Sequence, residues 1–383
     1  MFFRNFAASI ITYTENRHMT NNYKELLQLL RKGLGISDEP ITISDPAVWL
    51  WIYKEAQWQS ISGVVFAGVD KNSNICKPPT ELVLKWVMEA ERLKKLNKQF
   101  DKEAERLTAF FDSNGMRSTI LKGQGNEMLY PLRNLRTPGD IDIYVEGGKE
   151  HVLLWLQQHH LMEEDELQPH HHIHFKSKAS EIVVEVHFLP SSGIYNRWKN
   201  PQLLRFLNEE IKLSDMTENG FRVPTSKFNL LMQLAHIQRH FFEGGIGLRQ
   251  ITDYYYVLLN ASDEDRKEAS DLIAHLGMNK MASALMWVLK EVFLLEEKYW
   301  ITKPHQELGK FLLSEICAGG NFGYHADKKF KKTIARSSHK RLRALQLIRF
   351  GFAEAFWSEW SYWSFIFHTI PLRIKRGKFS LYK

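Results

Sequence analysis

The stretch that decides the fold is ILKGQGNEMLYPLRNLRTPGDIDIYV, residues 120–145. It reads as the end of a buried strand (118–121), a helix over 124–130 that stops at Pro131, a basic loop, and a second strand over 140–145. The second strand opens with Asp140 and Asp142, on either side of Ile141. Alternation puts Asp140, Asp142 and Tyr144 on one face and Ile141, Ile143 and Val145 on the other. Residues two positions apart on a strand point the same way, with Cα atoms about 7 Å from each other. Like charges this close raise each other's pKa unless a cation neutralises them.

A third acid lies downstream in EIVVEVHFLP (181–190), where Glu185 shares a strand face with His187 while Val184 and Val186 face the opposite way. Hard divalent cations prefer oxygen ligands, and Mg²⁺ is held by one or two carboxylates together with substrate phosphates. Asp140, Asp142 and Glu185 on adjacent strands match what a two-ion phosphoryl-transfer site requires, with Mn²⁺ as an alternative to Mg²⁺. Two plainer readings stand beside this one. The aspartates cap a turn after Pro138-Gly139, or Glu185 pairs with a nearby arginine.

Upstream, Leu121-Lys122-Gly123 ends a strand and enters a helix, where backbone N–H groups and the helix dipole favour phosphate. Lys122 is either a point charge for a β- or γ-phosphate or a solvated lysine at a strand end. Arg136, in the loop entering the Asp140 strand, is a candidate partner for a phosphate or a carboxylate; Arg133 reads as surface charge.

Outward from this centre, residues 21–35 and 46–69 read as helices, and Pro78-Pro79 introduces a long helix to about Asn114 with Thr80 as its N-cap. A helix over 148–160 precedes strands over 172–176 and 181–189, joined by a turn near Ala179-Ser180. Beyond Pro201 the pattern is helical, with FRV (221–223) as one more strand. The expected architecture is α+β: a small mixed sheet flanked by N-terminal helices and a large helical C-terminal region. Its expected parts are a leader over 1–18, helices over 19–115, an α/β core over 116–224 and helices over 225–383. Met19 opens a cleaner amphipathic helix than Met1 does, so residues 1–18 are expected to be disordered.

Two groups of histidines call for a reading. The run QPHHHIHF contains His170, His171, His172 and His174, which invites a zinc site with Glu185 and His187. Neighbours on one flat strand diverge, however, so a substrate-facing or exposed role is the alternative. In the helical half, His236 and His240 are four residues apart, and so are Arg249 and Asp253, so each pair shares a helix face. Arg249–Asp253 reads as a local ion pair, or Arg249 and His236 reach the site with Gly244-Gly245 as the turn between helices.

The order ILKG, LYP, R..GDIDIYV and VEVH resembles the poorly characterised nucleotidyltransferase family with the DNA polymerase β-type fold. AVWLWIYKEAQWQSISGVVFAGV (47–69) and LAHIQRHFFEGGIGLRQITDYYYVL (234–258) extend the resemblance over most of residues 25–260. It implies transfer of a nucleoside monophosphate from an NTP to an acceptor hydroxyl or phosphate, in a setting such as bacterial surface polysaccharide synthesis. It implies Asp140, Asp142 and Glu185 as the acids, Lys122, Gly123 and Gln124 as the triphosphate cradle, and His187, His236, His240, Arg249 and Asp253 on the acceptor side. The turn is Lys-Gly-Gln where the superfamily has Gly-Ser, and the third acid is Glu where Asp is usual. A catalytically inactive binding or assembly protein for glycan synthesis is the alternative.

Bulk properties fit a globular protein: 383 residues, 44% hydrophobic and 13% aromatic. Cys76 and Cys317 cannot build a disulfide framework, which makes a cytoplasmic setting the simpler expectation. The net charge of +7 is uneven: from His325 onward fourteen Lys and Arg face three Asp and Glu, leaving the remainder slightly acidic. The pI therefore carries no strong nucleic-acid signal. The tail WSEWSYWSFIFHTIPLRIKRGKFSLYK mixes aromatics with a basic end, which reads as a peripheral membrane contact or as a helix docked on the domain.

Overall fold

The computed structural model describes residues 21–162, 171–175, 181–321 and 345–375. The expected leader, His170, the Ala179-Ser180 turn and the last eight residues lie outside these.

Three helices open the described residues: α1 (Asn21–Leu34), α2 (Pro46–Trp58) and α3 (Ser62–Lys71). The single helix suggested over 46–69 is broken at Ser60, whose φ of 55° is left-handed. Next to the break, Gln59 works sideways: its side-chain amide donates to Ile316 O (3.1 Å) and accepts from Leu248 N (3.0 Å). Long-range hydrogen bonds thus compensate an interrupted helix ladder. Helices α1 and α3 cross where neither has a side chain. A Cβ on Gly68 would lie 1.9 Å from Leu29 O, and one on Gly33 would lie 2.0 Å from Val64 O.

Helix α4 (Thr80–Ser113) is as long as its strong helix formers suggest, with Pro79 and not Thr80 at its N-cap. Next come β1 (Ser118–Ile120), α5 (Gln124–Glu127), β2 (Ile141–Val145), α6 (Gly148–Gln158), β3 (His172–His174) and β4 (Val184–His187). The sheet order is β1-β2-β4-β3; β2 and β4 are parallel, and the two outer pairings are antiparallel. Alternation operates as the sequence implies. Ile141, Ile143, Val145, Val184 and Val186 pack with Phe100, Leu107 and Phe111 of α4 and with Val152 and Leu156 of α6. The opposite sheet face is left for polar side chains. Helix α5 is a single turn, shorter than the expected 124–130, and Tyr130 beyond it turns inward to Asp253.

After α7 (Asn200–Glu210), β5 (Asp215–Met216) pairs with β6 (Arg222–Val223); only the second of these strands shows in the sequence pattern. Among the described residues the helical half comprises α8 (Ser226–Glu243), α9 (Leu248–Asn260), α10 (Asp263–Leu276), α11 (Asn279–Phe293), α12 (Gln306–Gly319) and α13 (Phe352–Lys375). Its core is shared with the start of the chain: Leu26, Leu30 and Trp49 belong to one cluster with Phe228, Tyr254, Leu289 and Val292. Helices before and after the sheet thus form one body against which the sheet's polar face is set.

Because backbone lies where a Cβ would go, Gly68→Ala is expected to cost on the order of 1–3 kcal/mol or more. Urea unfolding measures this, and a wild-type midpoint would refute the close crossing.

Candidate active site

Strand register gathers the chemistry. Asp142 lies opposite Glu185, Tyr144 opposite His187, His172 opposite His187 and His174 opposite Glu185. Asp140 sits one residue before β2. Asp140, Asp142, Glu185 and His187 all line a cavity of about 390 Å³ that α8 and α9 close with His236, His240 and Arg249.

Positive groups surround the acids. Lys122 Nζ is 3.1 Å from Asp142 Oδ1, and His187 Nε2 is 3.0 Å from the same oxygen and 3.4 Å from Glu185 Oε2. Burial would raise the Asp142 carboxyl, but Lys122 and then His187 hold it far below the usual range. Burial likewise opposes ionisation of Glu185, and the His187 hydrogen bond outweighs it, so that its pKa falls. Asp140 goes the other way, pushed up by burial and then by Asp142. Burial alone would discharge His187, yet its bonds to Asp142 and Glu185 raise its pKa above the ordinary imidazole value.

Two more histidines join from β3. His171 Nε2 is 2.9 Å from His172 Nδ1, and His172 Nδ1 is 3.4 Å from Glu185 Oε2. The two rings converge although they are sequence neighbours, because His171 lies just outside the strand. Burial, with His172 beside it, pushes His171 down to about 3, so this ring is neutral. His174 is further from the acids, 3.9 Å from Glu185 Oε1. Among the described residues two sets of three donors each gather within 4.8 Å: Asp142, Glu185 and His187, and also His171, His172 and His187. The first set offers two carboxylates and one imidazole, which fits a divalent cation.

Other expected residues have different surroundings. Gly123 turns the chain with φ 61°, and a Cβ there would approach Asp140 O to 3.5 Å, so Lys122 leaves β1 beside the acids. Gln124 turns its side chain away from the cavity, donating to Asp101 Oδ1 (2.9 Å) and Glu127 Oε2 (2.5 Å). Asp253 does not pair locally with Arg249. It takes a bidentate grip from Arg136, at 2.8 and 2.7 Å, and a hydrogen bond from Tyr130 Oη at 2.7 Å. Arg136 is therefore a carboxylate partner with one nitrogen, Nη1, left unbonded. Arg249 donates to Thr137 O (3.1 Å), and its Nε has no partner. His236 and His240 stand edge to face, centroids 4.3 Å apart, and burial with the Lys122 charge holds His236 well below its ordinary pKa.

Sequence reasoning missed Asn126, Gln233, Arg239 and Glu243, all on the cavity wall. Asn126 and Gln233 exchange amide hydrogen bonds of 3.1 and 2.7 Å. The signal was present in α8: Gln233, His236, His240 and Glu243 recur at helical spacing on one face.

A mixed sheet with acids on the open face of a parallel strand pair, roofed by helices, is an α+β arrangement suited to nucleotidyl transfer. Residues 45–294 match the profile described as uncharacterised nucleotidyltransferase, and the chain belongs to that family. A solved structure described as an antigenic nucleotidyltransferase-like protein from Paracoccidioides brasiliensis resembles it at 14% identity and a TM-score of 0.33, over 54% of this chain and 95% of that one. No curated protein matches the chain.

Two measurements check the electrostatics. Asp253→Ala leaves Arg136 buried and unpaired, and is expected to cost about 3–5 kcal/mol in urea unfolding. In the cation-free protein, NMR titration should find the His187 midpoint above that of an ordinary imidazole. The stability that it contributes is full below the unfolded-state pKa and disappears as pH rises through the raised folded value.

Proposed function

We propose that the protein moves a nucleoside monophosphate from an NTP to an acceptor hydroxyl or phosphate, using two Mg²⁺ ions, with Mn²⁺ as a substitute. The observation that carries this reading is the register of Asp142 with Glu185 on parallel strands, inside a cavity that also holds Lys122.

Asp140, Asp142 and Glu185 would hold the divalent cations, with His187 as an added nitrogen donor. Cations bound there supply charge neutralisation for the triphosphate and polarise the reacting oxygens. Lys122 is a compact charge on a mobile stem, able to leave Asp142 Oδ1 for a phosphate oxygen. Gly123 lets backbone amides approach the same phosphates closely. Arg249, with an unbonded Nε, faces the cavity from α9 and is assigned to the acceptor or the leaving group. In the reaction an acceptor oxygen attacks the α-phosphorus and the bond to the β-phosphate oxygen breaks. The acceptor's proton passes to Glu185, and pyrophosphate leaves. His171 is neutral and His172 adjoins Glu185, so they form a wall that adds little charge. The family resemblance favours a glycan-synthesis intermediate as the acceptor.

The test uses α-labelled ATP, CTP, GTP and UTP with Mg²⁺ and a fractionated extract. Wild type is expected to label an acceptor. Asp142→Asn should reduce the rate by on the order of 10²–10³ or more, with far-UV circular dichroism like that of wild type. Lys122→Ala should act mainly through a raised KM for NTP. Full activity in Asp142→Asn, or no calorimetric binding of any Mg-NTP, would defeat the assignment; the latter favours an inactive binding protein.

A further inference from the structure

Helix α13 carries a face that the candidate active site does not use. Phe352, Phe356, Trp360, Trp363 and Phe367 follow one another at intervals of four, four, three and four residues. At the helical repeat these five positions fall within an arc of about 80°. Their side chains form a stripe exposed by 70, 49, 53, 45 and 66% along its length. Large aromatics bury 150–250 Å² each when covered. The stripe therefore exposes on the order of 500 Å², at the upper end of what a soluble monomer usually shows.

The other side of the helix is fastened to the protein. Ala355 and Glu354 are buried, and the Glu354 carboxylate accepts the backbone N–H of Tyr195 (3.0 Å) and of Asn196 (2.9 Å). Trp357 meets Trp198 edge to face at 5.9 Å, with the Arg197 guanidinium 4.5 Å over its ring. The stripe is thus held outward by a rigid attachment.

Charge says what covers it. The chain from His325 onward has a surplus of eleven positive charges, while the rest of the molecule is net negative. Six residues beyond the last aromatic of the stripe the sequence runs RIKRGK (373–378), with four basic residues in six. A second copy stacked in parallel along the stripe would bring like charge to like. An anionic bilayer surface offers both an apolar layer for Trp and Phe and countercharge for Lys and Arg. Among the described residues no helix is long and apolar enough to cross a membrane, so this helix would lie on the surface.

We propose that α13 docks the protein on an anionic lipid bilayer, with the Phe352–Phe367 stripe in the headgroup–acyl boundary. The docked helix adjoins the candidate active site. Tyr195, whose amide Glu354 holds, bonds through Oη to Glu243 (2.7 Å) and lies under the Arg239 guanidinium (4.5 Å), and both of those residues line the cavity. Resting on the transferase reading, this selects an acceptor carried at the membrane surface; bilayer docking itself does not rest on it.

The full chain is sedimented with vesicles of phosphatidylcholine alone and of phosphatidylcholine with phosphatidylglycerol. Binding is expected to the anionic vesicles, weakening with salt and accompanied by a blue shift of tryptophan fluorescence. The triple variant Phe356→Ser, Trp360→Ser, Trp363→Ser should lower the partition coefficient by about tenfold or more, with melting and Mg-NTP binding unchanged. Trp360→Phe should retain binding. Wild type left in the supernatant with both vesicle types would overturn the proposal, as would a triple variant that binds like wild type. A wild-type dimer in light scattering that the triple variant turns into a monomer would overturn it in favour of self-association. Mg-NTP binding is read without vesicles, so failure of docking leaves the transferase reading intact.

Discussion

Negative charge concentrated on one sheet face is the constraint around which the rest is arranged. Asp142 is 2% exposed and stands in register with Glu185, and Asp140 enters the same cavity. Such a group cannot stay ionised away from water without cations at contact distance. Lys122 and His187 provide that charge, one from the end of β1 and one from β4 itself. Both are labile counterions. An ammonium on a four-carbon stem can swing away, and an imidazolium can give up its proton. The arrangement that stabilises the cation-free protein thus leaves the carboxylates available to a metal ion.

A second buried pair has the opposite character. Arg136 and Asp253 meet in a bidentate contact that Tyr130 completes, and Asn97 of α4 donates to the backbone carbonyl of Arg136 (2.8 Å). Guanidinium does not deprotonate, and its planar fork fixes direction as well as distance. The basic loop before β2 is therefore clamped between α4 and α9. That clamp sets how far the sheet face stands from its helical roof, and so sets the volume of the cavity.

Much of this was legible because periodicity reports burial. The alternation of Ile141, Ile143 and Val145 against Asp140 and Asp142 oriented β2, and Val184 and Val186 did the same for β4. The three acids and Lys122 could be grouped because strand order brings them together. What could not be read was pairing across distance. Asp253 looked like the partner of Arg249, since helical spacing shows only local neighbours; the true partner, Arg136, is 117 residues away. Gln124 belonged to a plausible turn, but its side chain was claimed by Asp101 and Glu127. The break at Ser60 was hidden because the stabilising contacts of Gln59 come from Leu248 and Ile316.

The shared core of the first and later helices has a consequence for how the chain is made. Leu26 and Leu30 of α1 join a cluster with Leu289 and Val292, and Arg31 Nε bonds to Val292 O at 2.8 Å. At ordinary ribosomal speed, the time between synthesis of those two segments is roughly tens of seconds. In the later part of that interval the opening helices, packed on one another at Gly33 and Gly68, still lack the surface of α11, while the sheet, with its own core, has every strand already made. The opening helices are thus fully covered only after the sheet is complete, although they are made before it. A nascent chain of that length presents unpartnered apolar helix faces to solvent, the condition under which chaperone protection counts most.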